Sequence, residues 1–175
     1  CDLSPAQEEV DALRSFLNEG GKWFGLHGTN ALIEFVGEMQ VVDGLEIPGK
    51  TDTPNKNPEL MKLLGSRFVA HPPNMSIKVK VNDKSHPITK DLNDFEIFDE
   101  PYYCEFSDGI KVLLESRYTD DADAYVHSSW KEEIPRPQMY LHKVGKGGVL
   151  YLMLGHCRGK YDMRPFMDEC PVDRG

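Results

Sequence analysis

Apolar positions along the chain fall into short blocks with two different periods. Val10, Leu13, Phe16 and Leu17 recur at helical spacing. Ser4 is placed to cap that helix, with Pro5 at its first position and Glu8 near its first turn, and Gly20-Gly21 closes it. Residues 22–27 form a mostly apolar run bounded by glycine, which reads as a buried strand turning at Gly28. Residues 31–39 read as a second helix. Residues 42–58, rich in Gly, Pro, Asp and Asn, read as a long loop of the kind that serves as a lid or binding loop. A short helix over 59–64 follows, and residues 67–70 lead into His71-Pro72-Pro73.

Farther on the period changes. Ile77, Val79 and Val81 alternate with Lys78 and Lys80, which predicts a strand with one face exposed. Residues 83–94 read as loop, and residues 95–98 precede Asp99-Glu100-Pro101-Tyr102. Strands are expected over 111–115, 139–143 and 149–154, with a tight turn over 145–148 and a polar, acidic loop over 119–124. Apolar strands alternating with helices predict an α/β domain with a mostly parallel central sheet, and the alternating strands predict a small antiparallel annex.

Composition narrows the functional classes. The 175 residues suffice for one domain, residues 1–175, with its own core. Twenty basic against 29 acidic residues give a net charge of -9, which repels a phosphate backbone, so no nucleic-acid partner is expected. No apolar run reaches the roughly 18 residues of a membrane-spanning helix. The first residues carry neither a basic nor an apolar leader segment, so a cytoplasmic location is expected. The four cysteines form no C-x-x-C pair and read as free thiols, although an even count also permits two bridges.

Two apolar segments stop at a glycine-flanked histidine: Gly25-Leu-His27-Gly28 and Leu152-Met-Leu-Gly155-His156. In open α/β sheets the residues just past the carboxyl ends of strands line the ligand crevice. Gly25-x-His27-x-Thr29 has the outline of a nucleophile elbow whose tip is an imidazole rather than Ser or Cys. Such a histidine can act as acid, base or metal ligand, or simply hydrogen-bond within a loop. Thr29 and Asn30 follow it as hydrogen-bond donors. His71 and His86 sit beside prolines, and Asp99-Glu100 brings carboxylates that could orient a histidine. Histidines and carboxylates are dispersed without a motif such as H-E-x-x-H, so no cofactor is expected and no metal-ligand set is assigned. Gly145-Lys-Gly-Gly148 lacks the spacing of a phosphate-binding loop.

The order of these motifs resembles one family. Gly25-Leu-His-Gly-Thr29, Phe68-Val-Ala-His-Pro-Pro73, Asp83 through Thr89, Asp99-Glu-Pro-Tyr102 and residues 145–156 together resemble the ThuA-like (trehalose-utilisation-like) family. The resemblance runs from about Leu3 to about Tyr161. That family is similar in fold to class I glutamine amidotransferases, which implies a three-layer, flavodoxin-like architecture. By that analogy His27 stands where the amidotransferase nucleophile stands, and His156 where the triad histidine stands. The elbow cysteine is missing and Cys157-Arg158 replaces the expected Pro-Glu, so glutamine hydrolysis is not expected. Set against the family, the chain also lacks an opening strand and helix and a closing helix. The resemblance implies action on a sugar or disaccharide derivative, with His27 and His156 as acid/base groups and Glu100 orienting them. Thr29, Asn30, His71, Tyr102 and Arg158 would contact the substrate. The rival reading is a sugar-binding or scaffold domain without turnover. The expected partner is a small sugar-like ligand, and self-association is left open.

Overall fold

Helix α1 (Gln7–Asn18) leads into the edge of the main sheet in a computed structural model that describes residues 4–42, 45–47 and 49–156. Its N-terminal cap is Ala6 rather than Ser4, because the Glu9 carboxylate reaches back to accept the Ala6 N–H at 2.8 Å. Val10 and Leu17 are its buried positions, and the helix stops at Gly20, whose φ of 112° needs a residue without Cβ.

Strand β1 (Lys22–Leu26) pairs in parallel with β12 (Gly147–Leu152) and forms one edge of a six-stranded sheet. The expected burial of this strand does not hold: Trp23, Phe24 and Leu26 are exposed, and only Gly25 is buried. From β12 the sheet continues through β11 (Pro135–Val144), β10 (Lys111–Arg117), β7 (Met75–Val81) and β8 (Phe95–Asp99). All four of those junctions are antiparallel.

The sheet is therefore mixed, with one parallel junction, and the expectation of a mostly parallel sheet is corrected. The physical reason lies in the connections. A parallel neighbour requires a long crossover, usually helical. Among the described residues only α1 and α2 (Pro58–Leu64) are α-helices. Strands that alternate buried and exposed residues, such as β7, instead belong to antiparallel ladders with one open face. The alternating strands assigned to an annex make up most of the sheet.

Residues 31–39 are not helical. After a 3-10 turn at His27–Asn30, Ala31 and Leu32 go into the core and β2 (Glu34–Val36) pairs with β5 (Lys50–Asp52). Branched Ile33 and Val36 favour extended backbone, and Gly37 (φ 83°) ends the strand. The expected long loop contains β5 and β4 (Leu45–Ile47), which pairs with β3 (Gln40–Val42) at the loop's start. A separate ladder joins β6 (Ser66–Ala70) to β9 (Tyr103–Phe106), and β9 has no counterpart in the sequence reading. The core includes Leu17, Leu64 and Leu114 with the fully buried rings of Tyr103, Tyr140 and Tyr151. Among the described residues, no helix is long and apolar enough to cross a membrane.

Candidate active site

The parallel pairing of β1 with β12 decides where the two glycine-flanked histidines go. Gly25 lies opposite Tyr151 and Leu26 opposite Leu152, so both strands run out at the same edge. His27 follows at once, and His156 after Met153-Leu154-Gly155. Asp99 and Glu100, at the end of β8, reach the same place from the far edge of the sheet.

His27 is the one described non-glycine residue with positive φ, at 42°, a conformation an L side chain adopts at a cost. Its surroundings fix it there. The Tyr151 hydroxyl donates to the His27 carbonyl at 2.7 Å and accepts the Asn30 N–H at 2.8 Å. The Thr29 hydroxyl donates to the Leu26 carbonyl at 2.7 Å. A Cβ at Gly25 would come within 2.5 Å of the Tyr151 ring, so glycine there lets the ring pass beneath the turn.

Three side-chain atoms converge above this turn. His27 Nε2 is 3.2 Å from Glu100 Oε2 and 3.1 Å from His156 Nδ1, and His156 Nδ1 is 3.0 Å from the same Glu100 Oε2. His71 Nε2 approaches the other oxygen, Oε1, at 3.2 Å. His27 and Glu100 are buried, at 9% and 7% exposure, and the cluster meets solvent along the edges of His71 and His156. Tyr102 lies against the His27 ring, centroids 4.2 Å apart, and Tyr125 meets His71 edge-on at 5.0 Å.

Burial alone would raise the Glu100 carboxyl, but hydrogen bonds from His156 and His27 and the charge of His71 outweigh it. The group is held well below the usual carboxylate range and stays ionised. Burial holds the His71 imidazole below its ordinary value, against the upward pull of Glu100. Burial, reinforced by Glu100, pushes the Tyr102 phenol well above its ordinary value, so it remains neutral.

Of the expected site residues, His27, His156, Glu100, His71 and Tyr102 come together. Thr29 and Asn30 do not face the cluster. The Thr29 hydroxyl bonds Leu26, and Asn30, fully buried, donates from Nδ2 to Ser66 Oγ at 2.6 Å. They shape the turn that carries His27. Arg158 lies outside the described residues, as do Cys1, Cys157 and Cys170; Cys104 is a free thiol. His86 sits on an exposed loop, its Nδ1 accepting the Ile88 N–H.

Two residues outside the expected site set also take part. Asp99 accepts the backbone N–H of Gly155 (2.7 Å), His156 (3.1 Å) and Glu100 (2.8 Å), so one carboxylate binds both arms of the cluster together. Its adjacency to Glu100 was the available signal. Tyr125, in a polar stretch, gave none. Two surface hollows among the described residues lie elsewhere, one of about 770 Å³ bordered by Arg14, Glu59, Lys62 and His142, another of about 580 Å³ beside Trp23 and Phe24.

A family profile described as trehalose utilisation matches residues 47–170. Among solved structures, the chain is similar to a ThuA-like protein from Bacteroides uniformis, with 21% identity and a TM-score of 0.58 over 89% of this chain and 58% of that one. It is also similar to a ThuA-like protein from Parabacteroides merdae, with 16% identity and a TM-score of 0.55 over 90% of this chain and 58% of that one. A cytoplasmic protein from Salmonella typhimurium shares the fold at 15% identity and a TM-score of 0.50, over 82% and 48% of the respective chains. This chain thus spans less than two thirds of the solved structures it resembles. No functionally curated protein matches it.

Proposed function

The chain belongs to the ThuA, or trehalose-utilisation, family, and on that premise we propose that it is an enzyme acting on a sugar or disaccharide derivative. The observation that carries this reading is the convergence of His27, His156 and His71 on one buried, ionised carboxylate, Glu100. Carbohydrate chemistry at neutral pH requires groups that give and take protons from hydroxyls, and imidazoles held by a carboxylate are suited to that work. His71 and His156 stand nearest solvent and would meet the substrate first, Tyr102 would form an apolar wall, and Asp99 would keep the two arms in register.

Glutamine hydrolysis does not belong to this reading. It needs a thiolate at the elbow, and the elbow carries His27. A cytoplasmic location goes with the proposal, as for the Salmonella typhimurium protein of like fold. The rival reading, sugar binding without turnover, draws on the burial of the cluster itself. The test is turnover of disaccharides and their oxidised derivatives by the full chain, alongside ammonia release from glutamine. Turnover lost at least a hundredfold in His71→Ala and His156→Ala is expected, with no ammonia. Sugar binding that both variants retain, without turnover of any derivative, would establish the rival.

A further inference from the structure

The geometry points to a metal centre: we propose that His27 Nε2, His156 Nδ1 and Glu100 Oε2 form a three-ligand face for one divalent transition-metal ion, of which zinc suits the donors best. This goes beyond the carbohydrate reading and does not depend on what the substrate is.

The spacing is the first argument. The three atoms form a nearly equilateral triangle with sides of 3.0, 3.1 and 3.2 Å. An ion with bonds of about 2.0–2.1 Å holds neighbouring ligand atoms roughly 3.0–3.4 Å apart, from the octahedral edge to the tetrahedral one. It would rest about 1 Å out of the plane of the three atoms, with its remaining positions open. Two imidazoles and a carboxylate also form the donor set of open catalytic zinc sites.

Proton positions give the second argument. His27 Nδ1 is 2.7 Å from the Met153 carbonyl, which can only accept, so Nδ1 carries a hydrogen and Nε2 is the ring atom turned to the cluster. There Nε2 contacts Glu100 Oε2 at 3.2 Å through a hydrogen that an ion would replace. A cation at the centre of the triangle takes the place of the hydrogens shared there and satisfies all three ligand lone pairs at once.

The outer contacts give the third. A ligating histidine usually donates its other ring N–H to a carbonyl or carboxylate, as His27 does to Met153. Asp99 holds the backbone N–H groups of both Glu100 and His156, which sets the spacing of two ligands from one anchor. His71 approaches only Oε1, leaving Oε2 for the ion. With His27 and His156 committed to an ion, His71 would be the imidazole of the cluster left to hold or move a proton.

The test uses the full chain, stripped with a chelator and titrated with Zn²⁺ or Co²⁺ by calorimetry and, for cobalt, visible absorption. One ion per chain is expected. Glu100→Gln and His156→Ala should each weaken binding at least tenfold, and His71→Gln, which removes only an outer contact, should keep the 1:1 stoichiometry. X-ray absorption of the zinc-loaded wild-type chain, which needs no variant to fold, should show two imidazoles and no sulfur at the ion. No uptake, a sulfur or all-oxygen shell, or less than tenfold weakening in either folded ligand variant would overturn the proposal. Metal uptake without sugar turnover would count against the carbohydrate reading alone. Sugar turnover by a chain that takes up no ion would do the reverse.

Discussion

Replacing Tyr151 by Phe removes one oxygen atom from the core and tests how the turn beneath the site is held. The hydroxyl makes two contacts, donating to the His27 carbonyl at 2.7 Å and accepting the Asn30 N–H at 2.8 Å. His27 and Asn30 are both buried, so neither backbone group has water at hand as a substitute. Leaving a buried donor or acceptor unpaired costs about 1–3 kcal/mol each, which puts the loss at roughly 2–4 kcal/mol after partial relaxation. In a chain of this length each kcal/mol lowers Tm by about 2–4 °C, so a fall of about 4–16 °C is expected. The effect should reach the site, since His27 holds its φ of 42° against its own steric preference and loses one of its restraints. Urea denaturation with the m-value monitored gives the stability change, and turnover or metal affinity reports the position of the ring. Tyr140→Phe is the control: its hydroxyl bonds the Leu64 carbonyl and Ser66 Oγ, both at 2.8 Å, so it should cost similar stability and leave site function unchanged. A loss below about 0.5 kcal/mol in Tyr151→Phe, at unchanged m-value, would refute this account of the turn.

Two further outcomes follow from the same reasoning. Asp99→Asn leaves one acceptor oxygen where two now serve three backbone N–H groups, so stability should fall by about 1–3 kcal/mol and amide exchange at Gly155 and His156 should quicken; unchanged exchange there would show that Asp99 is not the anchor. Burial pushes the Cys104 thiol up to about 12, so at pH 8 it should resist alkylation in the folded chain and react in urea, as followed by mass spectrometry of its peptide. Because the folded value lies above the unfolded one, this thiol's contribution to stability is complete below about pH 8.5 and declines as pH rises from there toward 12, by about 1 kcal/mol in the first unit; a Cys104→Ala variant should lack that decline, and native labelling as fast as in urea would sink the assignment.

Elements whose signals are local can be read from the chain alone. Helical spacing with Gly20-Gly21 defined α1, strict alternation defined β7, and Gly145-Lys146 defined the β11–β12 turn. The chain also marked His27 and His156 as strand-end histidines, because glycine beside an apolar run can be seen without knowing the partner strand. Strand pairing, by contrast, cannot be read from local signals. Whether β12 lies beside β1 or elsewhere depends on contacts more than a hundred residues apart, and the same pairing that brings the two histidines to one edge makes the sheet mixed rather than mostly parallel. Residues 31–39 show the same limit from the other side: their apolar spacing fitted a helix, but pairing of β2 with β5 prevailed over a weak local preference. The roles within the cluster were equally out of reach. Thr29 and Asn30 carry donors that look available in one dimension, and packing turns both into the turn and core, while Asp99, which reads as a carboxylate able to orient a histidine, instead anchors the backbone because β8 ends beside His156. Side-chain chemistry is written residue by residue, whereas the few ångströms that let four side chains act as one site are set by strand register, and register belongs to the whole sheet.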